Sequence, residues 1–203
     1  MHIFITGTGT NVGKTTISSW LTLHSNYSYF KPIQTGACEQ IDSDIVFKIS
    51  NCKIYPEIYN YPEPLSPHIA AEKNNEIIDL NKIILPTDKN LLIEGAGGIL
   101  VPINKNELMI DLIKKLNVPT IIVASNILGT INHSLLTIKV LQEYKIPILG
   151  VILTGHENPE NKQAIEYFGK TKILAQLPFI DKVSSNNLAK LPLSTELYQL
   201  LKD

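Results

Sequence analysis

The sequence is poor in cysteine. Its two, Cys38 and Cys52, have no metal-type spacing and no paired motif, which excludes a disulfide framework or a cysteine zinc site and fits a reduced compartment. Charge of one sign is also lacking: 18 basic against 19 acidic residues give a formal net charge of −1. That excludes the electrostatic footprint used on nucleic acid or an anionic membrane surface. No apolar run approaches membrane-spanning length, and the chain opens on a strand and a glycine turn rather than a leader pattern. A cytoplasmic protein is therefore expected. There is no internal repeat, low-complexity tract or linker, so residues 1–203 are expected to form a single domain, burying roughly 70% of the unfolded surface. A nucleophile–base pair is missing as well. Ser66 and His68 are close in sequence, but no aspartate or elbow motif supports them.

What the chain does have is the stretch 3-IFITGTGTNVGKTT-16. Ile3, Phe4 and Ile5 form a strand-like run, Gly7 and Gly9 break it, and Gly13-Lys14-Thr15-Thr16 lead into a helical pattern. Strand, glycine-rich turn, Gly-Lys-Thr and helix is the arrangement that cradles nucleotide phosphates. Backbone N–H groups turn inward, the helix N-terminus adds positive potential, Lys14 reaches the terminal phosphates and the Thr15 hydroxyl is a Mg²⁺ ligand. The usual G-x-x-x-x-G-K-[ST] spacing is not met, because Thr8 takes the first glycine position.

Helical spacing of Ile17, Trp20, Leu21 and His24 predicts a first helix from Lys14 to about His24, with Trp20 as its core anchor. A short strand from Tyr27 to Lys31 stops at Pro32, and a helix over 42–50 follows, with Asp42 or Ser43 as its N-cap. Residues 54–68, rich in Tyr and Pro, read as a long irregular loop, and 69–85 as mostly helical or linking. Strands are expected at 90–94, 120–124, 147–153 and 172–177, and helices from Met109 to near Asn117 and Pro119, at 131–144, through Phe168 and from about Ser194. Strands alternating with helices imply an α/β protein whose mostly parallel sheet is covered on both faces. Its motifs fall at strand C-terminal ends, the edge where ligands bind in such sheets.

Glu94 ends a buried strand and is followed by Gly95, Ala96, Gly97 and Gly98, so it suits a carboxylate holding Mg²⁺ beside Thr15. Asp44 reads equally well as a metal ligand or as an ordinary helix-start cap. Lys31, at a strand end, aims its ammonium toward the phosphate edge, where it can neutralise charge on a transferring phosphoryl group. With no covalent nucleophile in view, the chemistry reduces to positioning substrates and stabilising phosphate charge.

Taken together, Gly7-Thr8-x-Thr10-x-Val12-Gly13-Lys14-Thr15, Lys31-Pro32-x-x-Thr35-Gly36, Ser43-Asp44, Ser66-Pro67-His68, Glu94-Gly95-Ala96-Gly97-Gly98 and Leu128-Gly129-x-Ile131-Asn132-His133 resemble the dethiobiotin synthetases. The matches run in order to about residue 180. The resemblance implies a three-layer α/β/α P-loop NTPase fold, a single P-loop ligase domain, and a homodimer. It also implies that CO₂ and MgATP close a ureido ring on 7,8-diaminopelargonate, with Mg²⁺ as cofactor and ATP as co-substrate. By the same resemblance Asn11, Val12, Gly13, Lys14, Thr15 and Thr16 bind the ATP phosphates, and Gly95, Ala96 and Gly97 also belong to the ATP site. Lys14 and Lys31 stabilise phosphoryl charge, and Thr15, Asp44 and Glu94 hold Mg²⁺. Thr35 contacts the diamine or its carbamate, while Ser66, Pro67 and His68 wall the substrate pocket. Gly129, Thr130 and Asn132, at a helix N-terminus, bind the substrate carboxylate from the neighbouring subunit; His133 reads as packed or capping. Thr154, Pro178, Phe179 and Ile180 fall where the family seats adenine. Two departures stand out: the family commonly has Asp at Gly9, and Asn at Thr154, whose single hydroxyl cannot read adenine in both donor and acceptor senses.

Two related nucleotide-handling classes fit less well. Partition and septum-site ATPases carry a lysine near the position of Thr8, which this chain lacks. A cobyrinate-type amidation ligase would need a glutaminase domain with a reactive cysteine.

Overall fold

The computed structural model describes residues 1–39 and 41–202. β1 (His2–Gly7) is buried along nearly its whole length, as a strand must be when it is paired on both sides and covered on both faces. It lies at the centre of a seven-stranded, all-parallel sheet. The other strands are β2 (Ser28–Phe30), β4 (Ile54–Tyr55), β6 (Leu91–Gly98), β7 (Thr120–Ser125), β8 (Ile148–Thr154) and β9 (Ile173–Leu177). The order is β4-β2-β6-β1-β7-β8-β9. The chain leaves β1 toward one edge, returns through β6 and then crosses β1 to β7. The loop after β1 therefore opens at the point where the winding reverses, the crevice that receives ligands in this architecture.

On one face α1 (Lys14–Leu23) packs through Ile17, Trp20 and Leu21 onto Ile3, Ile5 and Ile121. Ile49 of α2 (Asp42–Ser50), Leu188 of α7 (Ser185–Ala189) and Leu197 of α8 (Thr195–Lys202) join the same cluster. Trp20 is the anchor its spacing predicted: it is 2% exposed and its Nε1 donates to the Leu191 carbonyl at 2.6 Å. On the other face Phe4, Ile93 and Ile122 meet Ile110, Leu112 and Ile113 of α4 (Met109–Leu116), Ile138 and Leu141 of α5 (Thr130–Glu143), and Ile165 of α6 (Pro159–Gly169). The result is three layers, α/β/α. Among the described residues no helix is long and apolar enough to cross a membrane.

The stretch expected to be an irregular loop is ordered instead. β4 pairs with β2, and β3 (Ile33–Thr35) pairs in parallel with β5 (Tyr59–Tyr61) as a separate two-stranded sheet. Tyr59 and Tyr61 point inward and stack at 6.3 Å, while Asn60 between them is exposed. Strands of two or three residues between prolines carry too little alternation to be seen in sequence. β2 ends at Phe30, before Pro32, and Pro32 does not end extended chain, since β3 begins at Ile33. α3 (Pro67–Lys73) and a 3-10 turn at Leu80–Lys82 occupy the linking segment that follows. The N-cap of α2 is Ile41, without a side-chain bond, so neither Asp42 nor Ser43 caps that helix.

Candidate functional site

The turn after β1 is shaped by backbone demands. A Cβ on Gly7 would lie 2.7 Å from Val12 Cγ2, and Asn11 and Gly13 sit at φ 57° and 96°. Gly13 is the N-cap of α1 and offers no side chain, and the first turn of the helix has no acidic residue. Its free N–H groups are thus left for an anion. Lys14 is 8% exposed, and its ammonium donates to the Gly9 carbonyl at 2.9 Å. Burial lowers its pKa, and Lys31 adds to this, against an opposing pull from Glu94. Gly9 meets nothing within 4 Å of an added Cβ, so space does not dictate glycine there. What the loop uses at this position is the carbonyl.

Opposite the loop is a buried polar cluster. Glu94, 1% exposed on β6, accepts from Thr15 Oγ1 at 2.9 Å and Lys31 Nζ at 3.2 Å through Oε1. Its Oε2 accepts from Ser18 Oγ at 2.7 Å and Tyr29 OH at 3.1 Å. Lys31, just past β2, also pairs with Asp42 Oδ2, and Thr15 Oγ1 lies 3.0 Å from Asp42 Oδ1. Burial works against the charged form of Lys31, but Glu94 and Asp42 outweigh it and its pKa is raised. The chain contains no arginine, so lysines must supply every fixed side-chain cation facing a phosphate.

One cleft of about 760 Å³ gathers Asn11, Gly13, Lys14, Thr15, Thr16, Lys31, Thr35, Ser66, Pro67, Glu94, Ala96 and Gly97. Asp44 is not among them. Of the two α2 aspartates it is Asp42 that the structure puts in the cleft, whereas Asp44, the one expected there, is exposed on the same helix. Two residues along a helix turn a side chain by about 200°, so only one of the pair faces the loop. Val12 and Gly95 are buried beside the cleft; a Cβ on Gly95 would lie 2.8 Å from the Phe4 ring. His68 is not brought in. Its Nδ1 is 3.1 Å from Ser66 Oγ, and it borders a second groove with Ile78 and Ile103.

Thr154 ends β8 and donates to the Val12 carbonyl at 2.9 Å, so its hydroxyl ties down the phosphate loop. Beyond it the exposed ring of Phe179 lies parallel to His156, with centroids 6.0 Å apart, between exposed Pro178 and half-buried Ile180. Gly129, Thr130 and Asn132 lie outside their own chain's cleft, at the N-terminus of α5. His133 is exposed rather than packed.

Comparison with known proteins adds to this geometry. A family model described as an AAA domain matches residues 1–187. The ATP-dependent dethiobiotin synthetase BioD of Lawsonia intracellularis is 52% identical over 200 residues, covering 98% of each chain. That of Paramagnetospirillum magneticum is 46% identical over 94% of each. The chain belongs to the dethiobiotin synthetase family. The family's fold is shared more widely. A ParA family ATPase from Chlorobium tepidum superposes at TM-score 0.61 with 13% identity, covering 99% of this chain and 97% of that one. The cell-division complex MinC:MinD of Aquifex aeolicus gives 0.61 with 16%, covering 99% and 93%. At such identities the likeness is one of fold alone.

The synthetase-like cluster has the donor chemistry of a hard-cation site. Thr15 has one hydroxyl proton and two carboxylate oxygens within 3.0 Å, so one of those contacts is oxygen against oxygen without a proton. A cation among the three oxygens would resolve this. Among the described residues no group of three or more His, Cys, Asp or Glu could hold a metal. Two carboxylates and a hydroxyl, completed by phosphate oxygens and water, are the usual complement for Mg²⁺.

Ser18, Tyr29 and Asp42 escaped the sequence reading. Two had a usable signal: Ser18 stands three residues after Thr15 on one helix face, and Tyr29 two before Lys31 on one strand face.

Proposed function

We propose that this chain is an ATP-dependent dethiobiotin synthetase, a cyclo-ligase of biotin biosynthesis working as one cytoplasmic domain in a homodimer. The observation that carries the reading is the convergence of Lys14, Lys31, Thr15, Asp42 and Glu94 on one cleft in a chain 52% identical to a curated synthetase.

One amine of 7,8-diaminopelargonate adds to CO₂ and loses a proton, forming a carbamate. A carbamate oxygen attacks the γ-phosphorus of ATP and ADP leaves, giving a carbamic–phosphoric anhydride. The second amine attacks the carbonyl carbon, phosphate departs, and the ureido ring closes. The substrate brings both nucleophiles, which is why the cleft needs no serine or cysteine of its own.

The chain's residues hold charge and geometry. The N–H groups of 11–16 and the Lys14 ammonium hold the phosphates, Lys14 exchanging the Gly9 carbonyl for phosphate oxygens. Lys31 neutralises charge on the carbamate and the transferring phosphoryl group, a role for which its raised pKa keeps it protonated. Thr15, Asp42 and Glu94 would hold Mg²⁺, which when bound screens the β- and γ-phosphate oxygens. Thr35, Ser66 and Pro67 wall the diamine, and Gly95, Ala96 and Gly97 let backbone approach the nucleotide.

The uncapped N-terminus of α5, with Gly129, Thr130 and Asn132, suits a substrate carboxylate reaching it from the partner's cleft. Ile127 and Leu128 beside it are 66% and 103% exposed, as expected of a surface that a second copy covers. Thr154, engaged with Val12, leaves the base to backbone and ring contacts from 178–180, so selectivity for adenine is relaxed.

The test combines diaminopelargonate, bicarbonate and MgATP and follows phosphate and ureido product together. Diamine-dependent release of both is expected. Phosphate release indifferent to the diamine, from protein shown to be folded, would overturn the reading.

A further inference from the structure

Glu94 is fixed on all sides. Its carboxylate has about four lone-pair positions, and four polar groups face them in two pairs. Thr15 and Lys31 face Oε1, while Ser18 and Tyr29 face Oε2. Each pair draws one member from α1 and one from the β2 strand and its end. Thr15 and Ser18 are one helical turn apart, and Tyr29 and Lys31 share a strand face. Ser18 and Tyr29 are both 0% exposed, so neither hydroxyl has water as an alternative partner.

The behaviour of neighbouring hydroxyls shows that the Ser18 contact is not the default. Ser19 donates to the Thr15 carbonyl, Thr22 to that of Ser18 and Ser25 to that of Leu21, at 2.7–2.8 Å. That back-bond to residue i−4 is what a buried helical hydroxyl ordinarily makes. Ser18 instead spends its proton on Glu94. Tyr29 opposes Leu92 in the sheet register and reaches diagonally to the carboxylate two residues on.

We propose that Ser18 and Tyr29 are positioning residues, which pin Glu94 Oε2 so that Oε1 is presented to Thr15, Asp42 and the cation they hold. This rests on the metal role given to Glu94 above. Neither residue touches nucleotide, diamine or metal. Their effect passes through the direction of one carboxylate, the way outer partners of metal-ligating carboxylates set affinity.

The test is Mn²⁺ binding to the full chain saturated with ADP, read by electron paramagnetic resonance of the free ion, with metal-free ADP binding measured alongside. Ser18→Ala is expected to weaken Mn²⁺ binding about tenfold and Tyr29→Phe several-fold, on the scale of lost outer-shell contacts, while metal-free ADP binding stays within twofold. Unchanged Mn²⁺ binding in both variants would overturn the proposal. So would a matched loss of ADP and Mn²⁺ binding, which would mark the hydroxyls as structural only. A wild-type chain that binds ADP but orders no Mn²⁺ would remove the metal site itself. Because no step of ring closure enters this measurement, a failed synthetase assay with the tenfold split intact would sink the function and leave the positioning standing.

Discussion

Replacing Lys31 by methionine keeps the length of the side chain and removes its charge. Lys31 and Glu94 keep 6% and 0% of their side-chain surface, whereas Asp42 keeps 22%. Breaking a buried ion pair by removing one partner costs about 3–5 kcal/mol, because the remaining charge is left uncompensated. Exposure of Asp42 to water trims this to about 2–4 kcal/mol. For a chain of this size each kcal/mol moves the melting temperature by about 2–4 °C, so Lys31→Met is expected to melt roughly 4–16 °C below wild type. Mg²⁺ should reverse much of that loss, because a divalent ion can take the seat the ammonium vacates. At a hundred times its dissociation constant it restores about 2.7 kcal/mol. Wild type should gain less from the same Mg²⁺, since the ion must first displace Lys31. Melting curves of both proteins with and without Mg²⁺ decide the matter. A variant that melts within about 2 °C of wild type in the absence of Mg²⁺, and gains nothing from it, would refute the view that Lys31 balances two buried carboxylates.

Other outcomes follow from the same geometry. Asp42→Asn should lower turnover by about a hundredfold, the scale of removing one fixed electrostatic contact, while Asp44→Asn stays near wild type; the reverse order would return the metal to Asp44. With Thr154 occupied by Val12, rates with ATP, CTP and GTP should fall within about tenfold of one another, since a lost two-point base contact forfeits about 1–3 kcal/mol of discrimination. A strong preference for ATP would sink that idea. The Ser28 hydroxyl, and then Lys53, lower the Asp88 pKa from 3.8 to about 2. A lowered carboxylate stabilises the fold above its ordinary pKa and loses that contribution as pH falls through the folded value. Urea midpoints should therefore drop more steeply for wild type than for Asp88→Asn as pH falls from 4 toward 2, and parallel curves would contradict the assignment.

The sequence made the layered architecture legible because long parallel strands are apolar throughout and their helices keep one apolar face. α4 begins at Met109 and ends at Leu116, next to the end near Asn117 that its spacing predicted. The phosphate loop was legible because glycine, lysine and threonine at that spacing serve few other purposes. What stayed hidden was phase and short-range pairing. Asp42 and Asp44 both suit the start of a helix, and only the angle at which α2 leaves Ile41 decides which one meets Thr15. β3 and β5 hold together through Tyr59 and Tyr61, a contact between segments whose prolines imitate a loop. α7 is a five-residue helix that starts at the Ser184 cap and buries Leu188, too short for any periodicity to register. Ser18 and Tyr29 share faces with Thr15 and Lys31, a signal whose meaning becomes plain only once Glu94 is seen between them.

The sharpest division is between a ligase that hands a phosphoryl group to a carbamate and a switch that hands it to water. Their folds coincide, so the fate of one oxygen distinguishes them. The measurement is the isotopic content of the phosphate released when freshly added C¹⁸O₂, diaminopelargonate and MgATP are mixed and quenched before the label exchanges with water. The carbamate oxygen that attacks phosphorus stays on it when the second amine closes the ring, so phosphate is expected to carry one ¹⁸O for each ureido ring formed. Phosphate whose new oxygen comes from water would contradict the account.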